Sequence, residues 1–208
     1  MFPERLTSGY RSFLAGRFAE QSQLYRALAE GQKPETMVIG CCDSRVTPEL
    51  IFNASAGEIF VARNVANLVP PYESGGKYHG TSAALEFAIY GLRVRHIVVL
   101  GHERCGGISA FANNAAPLSP GDFIGKWMSL IAPAAAQVPP LDDPEEYRRE
   151  LELAGIELSL SNLMTFPSVA ALVRQGELRL HGAYFSLAEA RLLVRDPETG
   201  KFAPLVPR

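Results

Sequence analysis

The stretch HIVVLGHERCGG, residues 96–107, carries a fold signal and a chemical signal side by side. His96–Gly101 is a short apolar run rich in β-branched residues and closed by glycine, which reads as a buried strand. Just beyond it stand His102 and Cys105 with two residues between them. That spacing lets one turn present an imidazole and a thiol to a single point, and Gly106 and Gly107 let the backbone pass close to it. Two other runs repeat the strand signal. TMVIG, residues 36–40, is followed by CCDSRVTP, and EIFVARN covers residues 58–64.

Helical spacing fills the gaps. Thr81 or Ser82 caps a helix through Leu92, with Ala84, Leu85, Ala88 and Ile89 on one apolar stripe. Further helices are expected after Gly106 to about Phe111 and over 123–137. Asp143 caps another, with Pro144 first, Glu145 and Glu146 in the first turn, and Tyr147, Leu151, Ala154 and Leu158 as the apolar face. Residues 178–187 and 190–196 read as strands. Residues 5–30 read as helical with breaks at Gly9 and Gly16. Strands alternating with helices predict an α/β fold with a mostly parallel sheet covered on both faces.

In open α/β sheets, ligands gather beyond the carboxyl ends of the strands. Cys41 lies past the first strand, and His102 and Cys105 lie past the third. If those strands are neighbours, three groups that suit zinc converge on one rim. Asp43 is the obvious fourth candidate, but it stands two positions from Arg45. The plainer alternative is a buried structural thiol at Cys41–Cys42, a surface ion pair at Asp43–Arg45 and a packed histidine at 102.

Bulk properties narrow the class. The chain has 208 residues, a net charge of −2, 47% hydrophobic and 20% charged residues, and a pI near 6.1. That balance favours neither nucleic acid nor an anionic membrane surface. The apolar runs fall short of the ~18 residues that suggest a membrane span. Three cysteines, two of them vicinal, read as reduced thiols in a cytoplasmic setting. The first residues lack the apolar core of a signal peptide and read as mature sequence.

CCDSRV and GHERCGG together resemble the Cys-x-Asp-Ser-Arg and His-x-x-Cys-Gly-Gly motifs of the β-class carbonic anhydrases. GEIFVARNVANLVPPY and YHGTSAALEFAI follow the same family in the same order. NLMTFPSVAALV and LRLHGAYF continue the likeness more loosely. The resemblance implies a single domain over 1–208: an N-terminal helical arm (1–33), a zinc-site core (34–112), then helices and C-terminal strands (113–208). About four parallel strands with an antiparallel edge strand are expected. It implies Zn2+ held by Cys41, His102 and Cys105, with Cys42 on a variable position. It also implies reversible hydration of carbon dioxide to bicarbonate and a proton, by zinc-bound hydroxide that an Asp43–Arg45 dyad orients.

In some family members the matching aspartate closes onto zinc as a fourth ligand, linked to a bicarbonate pocket lined by tryptophan, arginine and tyrosine. Those positions here are Val38, Arg63 and Phe185, so the open subclass is expected. The family also implies a homodimer or homotetramer gripped by the N-terminal helices. A carbon disulfide hydrolase, a zinc scaffold and a thiol redox protein using Cys41 and Cys42 are the competing readings. Among the remaining residues, His181 reads as packed core, His96 as solvated, His79 as a loop histidine that could relay protons, and Arg148–Arg149 as a solvated helix face.

Overall fold

In the computed structural model, which describes residues 1–75 and 79–206, the three apolar runs become neighbouring parallel strands. These are β1 (Thr36–Cys41), β2 (Ile59–Asn64) and β3 (His96–His102). Five of the six residues of β1 are buried, as a central strand of a parallel sheet must be. β4 (Arg179–Ser186) joins β3 in parallel, and β5 (Arg191–Arg195) and β6 (Phe202–Pro204) follow antiparallel. The sheet order is β2-β1-β3-β4-β5-β6. Four strands are therefore parallel, as expected, and the antiparallel edge holds a second strand that the sequence did not reveal.

Helices cover the sheet: α4 (Gly80–Glu86), α5 (Gly106–Ala112), α6 (Phe123–Met128), α7 (Ala132–Ala135), α8 (Pro144–Leu163) and α9 (Pro167–Arg174), with a short α3 (Pro48–Ile51) after β1. Asp143 caps α8 as predicted, its carboxylate accepting from the Glu145 N–H at 2.9 Å. The helix expected over 123–137 is broken instead. Pro133 lacks the N–H that would extend α6, so a 3₁₀ turn (Ser129–Ile131) intervenes before α7. Nor does Thr81 or Ser82 cap α4 through its side chain; Thr81 Oγ1 is 3.2 Å from Asn64 Nδ2.

α8 packs directly on β3 and β4, and two glycines make that approach possible. A Cβ on Gly101 would stand 2.7 Å from Ile156 Cδ1, and one on Gly182 would stand 3.0 Å from Ile156 Cγ2. Ile156 is fully buried between them with Met37, Ile39, Ile97, Val99, Leu163 and Val169. Each such side chain contributes about 1.5–3 kcal/mol by leaving water. A second cluster holds Cys41, Ala66, Cys105, Ile108, Met128, Ile131 and Leu151, so two of the three thiols sit in an apolar floor.

Residues Met1–Lys33 form one compact unit and Pro34–Arg208 another. In the first, α1 (Glu4–Phe13) runs through Gly9 without a break and continues into a wide turn (Leu14–Phe18) holding Gly16; α2 (Ser22–Ala29) follows. Phe13, Phe18 and Tyr25 group with ring centroids 5.5 to 6.0 Å apart. None of these helical residues is buried, and Leu6 and Tyr10 are 56% and 59% exposed. Among the described residues no single helix is long and apolar enough to cross a membrane.

Candidate metal centre

Parallel pairing of β1 with β3 places Gly40 beside Leu100, so the residues just beyond them share one rim. Cys41, His102 and Cys105 meet there, all buried, with one ligand atom from each within 4.8 Å of the others. The two sulfurs are 4.0 Å apart.

His102 Nδ1 is 2.9 Å from the Glu103 carbonyl. A carbonyl only accepts, so Nδ1 carries the proton and Nε2 keeps its lone pair. That buried Nε2 has no hydrogen-bond partner. A buried polar atom with no partner is costly unless a bound group completes it.

The thiols tell the same story. The hydrogen bond from Cys105 pulls the Cys41 thiol down to about 4 despite the burial that opposes it, with His102 assisting. The Cys41 sulfur in turn pushes Cys105 up, as does its burial. Two thiolates this close cannot both ionise unless a cation sits between them, and a divalent cation removes the conflict. Burial works against protonation of His102, but Cys41, the Glu103 carbonyl and Asp43 together outweigh it and raise its pKa. The orphaned nitrogen and the paired thiols fit the Cys₂His set of a zinc centre with an open position.

Backbone geometry builds the pocket around the sulfurs. Asp43 N–H and Ala66 N–H each point at Cys41 Sγ from 3.4 Å. Ala66 and Asn67 both adopt left-handed φ, +62° and +49°. For alanine that costs on the order of 1–2 kcal/mol. Gly107 must be glycine, because a Cβ there would lie 2.7 Å from Val65 Cγ1 and 3.0 Å from Met128 Sδ. Gly106 faces open space, so only the second glycine of the pair is required for closeness.

Asp43 and Arg45 form a bidentate pair rather than a loose contact. Arg45 Nε donates to Asp43 Oδ1 at 2.9 Å and Nη2 to Oδ2 at 2.7 Å, while the Arg45 N–H also reaches Oδ1. The same Nη2 donates to the Arg104 carbonyl at 3.0 Å, tying this loop to the turn between His102 and Cys105. The guanidinium holds the Asp43 carboxyl far below the usual carboxylate range. Asp43 Oδ2 is 3.9 Å from His102 Nε2, so the carboxylate borders the centre while Arg45 occupies both of its oxygens.

Several contributors were not legible in the sequence. Arg63 donates to the carbonyls of Cys41 (2.7 Å), Asp43 (2.6 Å) and Val46 (2.9 Å), which stitches the Cys41–Val46 loop together. Glu152, 4% exposed, accepts from the Cys105 N–H at 2.9 Å and from Tyr184 Oη at 2.7 Å. Burial raises its pKa and raises that of Tyr184 as well. Charged residues in a helix read as solvent-facing, which hides Glu152; its i−4 neighbour Arg148, 4.0 Å away, is the one available hint. Arg148 is accordingly half-buried and ion-paired, not part of a solvated face, whereas Arg149 is exposed.

Other predicted residues lie apart from the ligand set. His96 Nδ1 and His181 Nε2 are 3.0 Å apart, so neither the solvated reading of the first nor the packed-core reading of the second describes them. Val38 is buried with Val46, Leu100 and Ala183, and Phe185 packs against that cluster. Cys42 is exposed and unpaired in any disulfide. With Arg63, Asn64, Val65 and His79 it borders an open, largely apolar cleft of about 850 Å³.

The family model for carbonic anhydrases matches residues 36–192. Beta carbonic anhydrase 3 of Arabidopsis thaliana is 36% identical over 194 residues, covering 89% of this chain and 74% of that protein. The structure of the β-carbonic anhydrase CcaA superposes with a TM-score of 0.85 at 28% identity, over 99% of this chain and 92% of that one. One of two tetrameric β-carbonic anhydrases from the ascomycete Sordaria macrospora gives 0.81 at 26% identity, over 96% and 97%. A family model matched over most of the chain and a relative 36% identical over 89% of it mean that the chain belongs to the β-carbonic anhydrase family.

Proposed function

We propose that this protein catalyses the reversible hydration of carbon dioxide to bicarbonate and a proton, with Cys41, His102 and Cys105 holding a zinc ion. The observation that carries the reading is the unpartnered His102 Nε2 facing two thiols 4.0 Å apart. A zinc ion in that set supplies the Lewis acidity that makes water a nucleophile near neutral pH.

The chain's own residues supply orientation. Arg45 keeps Asp43 ionised, so Asp43 can only accept hydrogen bonds at neutral pH. A lone pair of its carboxylate, at the border of the centre, accepts from the attacking water and fixes the direction of the remaining oxygen lone pair. Arg45 also prevents the carboxylate from swinging inward, because leaving its place breaks a bidentate charge-assisted pair. Val38 and Phe185, in place of tryptophan and tyrosine, support the open form without an inhibitory bicarbonate pocket. The apolar cleft beside Cys42 and Val65 suits an apolar gas.

The exposed apolar residues of the N-terminal helices support a homo-oligomer, dimer or tetramer, in which a second copy covers them. Free thiols support a reducing, cytoplasmic setting. The retained Asp43–Arg45 geometry disfavours a pure zinc scaffold, which needs neither residue. Stopped-flow hydration assays on zinc-loaded and chelator-stripped protein test the activity. Rapid hydration that disappears with the metal is expected; no acceleration over buffer by the loaded protein would refute it.

A further inference from the structure

Glu103 lies between the two ligands of the His-x-x-Cys turn and belongs neither to the ligand set nor to the Asp43–Arg45 pair. Its main chain carries the imidazole. The Glu103 carbonyl accepts from His102 Nδ1 at 2.9 Å, which aims Nε2 at the sulfurs. Its N–H donates to the Phe185 carbonyl at 2.9 Å, continuing the β3–β4 pairing of His102 with Phe185.

The Glu103 side chain reaches the same neighbour by another route. Oε2 accepts from Ser186 Oγ and from the Ala188 N–H, both at 3.0 Å. Ser186 ends β4, and Ala188 sits in the turn that leads to β5. Arg104, the next residue, holds a left-handed φ of +55°. A non-glycine residue keeps that conformation only where its surroundings fix it. The Glu103 peptide is thus pinned from the strand side and from the side-chain side at once, immediately before a strained bend.

We propose that the Glu103 carboxylate is a positioning residue for the metal centre: by clamping the turn to the β4–β5 connection it fixes the Glu103 carbonyl, and through that carbonyl the tilt of His102. The inference rests on reading Cys41, His102 and Cys105 as zinc ligands. A second-layer group that orients a histidine ligand typically sets metal affinity by about 10–100-fold. The competing role is local: the carboxylate braces the β4–β5 turn and the ligand does not feel it.

Two measurements separate these. The first is the zinc dissociation constant by competition with a chromogenic chelator. The second is the visible spectrum of the cobalt(II)-loaded protein, which reports the geometry of the thiolate and imidazole ligands. Glu103→Ala should bind zinc about 10–100-fold more weakly and alter the cobalt bands. Glu103→Gln keeps an oxygen that can accept from Ser186 and Ala188, so it should recover most of the affinity. Ser186→Ala, which removes one donor, should fall between wild type and Glu103→Ala. Arg195→Ala serves as a stability control. It loses the Arg195–Glu157 pair and should melt earlier with unchanged zinc affinity.

Wild-type affinity and an unaltered cobalt spectrum in Glu103→Ala would overturn the proposal, whatever the melting temperature. Should that variant fail to fold, wild-type affinity and an unaltered cobalt spectrum in Ser186→Ala would overturn it equally. A wild-type protein that does not hold zinc overturns the ligand reading itself, an outcome distinct from the first.

Discussion

β3 begins and ends with a histidine, and the two ends of this one strand behave differently. At its start, His96 is half-buried and its Nδ1 meets His181 Nε2 at 3.0 Å, with ring centroids 5.2 Å apart. At its end, His102 is 1% exposed, bonded through Nδ1 alone, and left with a lone pair that no protein group uses. The first pair is self-satisfied: one nitrogen donates and the other accepts. The second is complete only with a third party. Two sulfurs stand around that lone pair, whereas Arg179 stands near the other pair. Residue type alone therefore does not mark a ligand; an unmet buried nitrogen among thiols does.

The sharpest way to break this comparison is to remove each histidine in turn. His102→Ala should lose zinc affinity by more than the ~10–100-fold typical of outer-layer losses, and hydration with it. His96→Ala should keep both, and so should Cys42→Ser, since Cys42 is exposed and is not one of the three grouped ligands. Elemental analysis after dialysis, with hydration rates on the same samples, reads the outcome. Equal metal loss in the His96 and His102 variants would dissolve the distinction.

A second test sharpens what else distinguishes the end of β3. Asp43 borders His102, 3.9 Å from its Nε2. As a surface ion pair, Asp43–Arg45 would be worth about 0–1 kcal/mol and its removal would scarcely change the rate. As an orienting pair, Asp43→Asn should retain most of the zinc and lose ~10²–10⁴-fold in hydration. Arg45→Ala should follow, because it frees Asp43 to turn toward the centre. Hydration rate per bound zinc is the deciding quantity.

The smallest effect concerns the other end. His181 has its pKa lowered, first by burial and then by the charges of His96 and Arg179. The folded state thus binds fewer protons than the unfolded chain just below the ordinary histidine value of ~6.5. Its contribution to stability is fully present above that value and is lost as pH falls through the folded-state value. Protonating both rings would also set two N–H groups against each other. The urea midpoint should therefore fall between about pH 7.5 and about pH 5.5, and fall less in His181→Gln. An identical fall in the two proteins would remove His181 from the account.

The sequence disclosed what depends on neighbours in the chain. Strand runs ending in glycine, the Asp143–Pro144 cap and the His102–Cys105 spacing all read correctly because short-range geometry sets them. What stayed hidden depends on pairing across the sheet. His96 and His181 meet only because β3 and β4 are parallel with Val98 opposite His181. Glu152 looks like any helix-surface acid until α8 turns it toward Tyr184 and Cys105. Arg63 could be placed in a motif, but its three carbonyl partners come from a loop some twenty residues earlier. Pro133 interrupts the helix expected over 123–137, where a 3₁₀ turn and a short helix replace one continuous element.

X-ray absorption at the zinc edge of the loaded protein tests the central claim most directly. Two sulfurs at ~2.3 Å, one imidazole nitrogen at ~2.0–2.1 Å and one further light atom are predicted, the pattern of a Cys₂His centre with an open position. Three sulfurs, which would bring in Cys42, or a shell without imidazole, would contradict it.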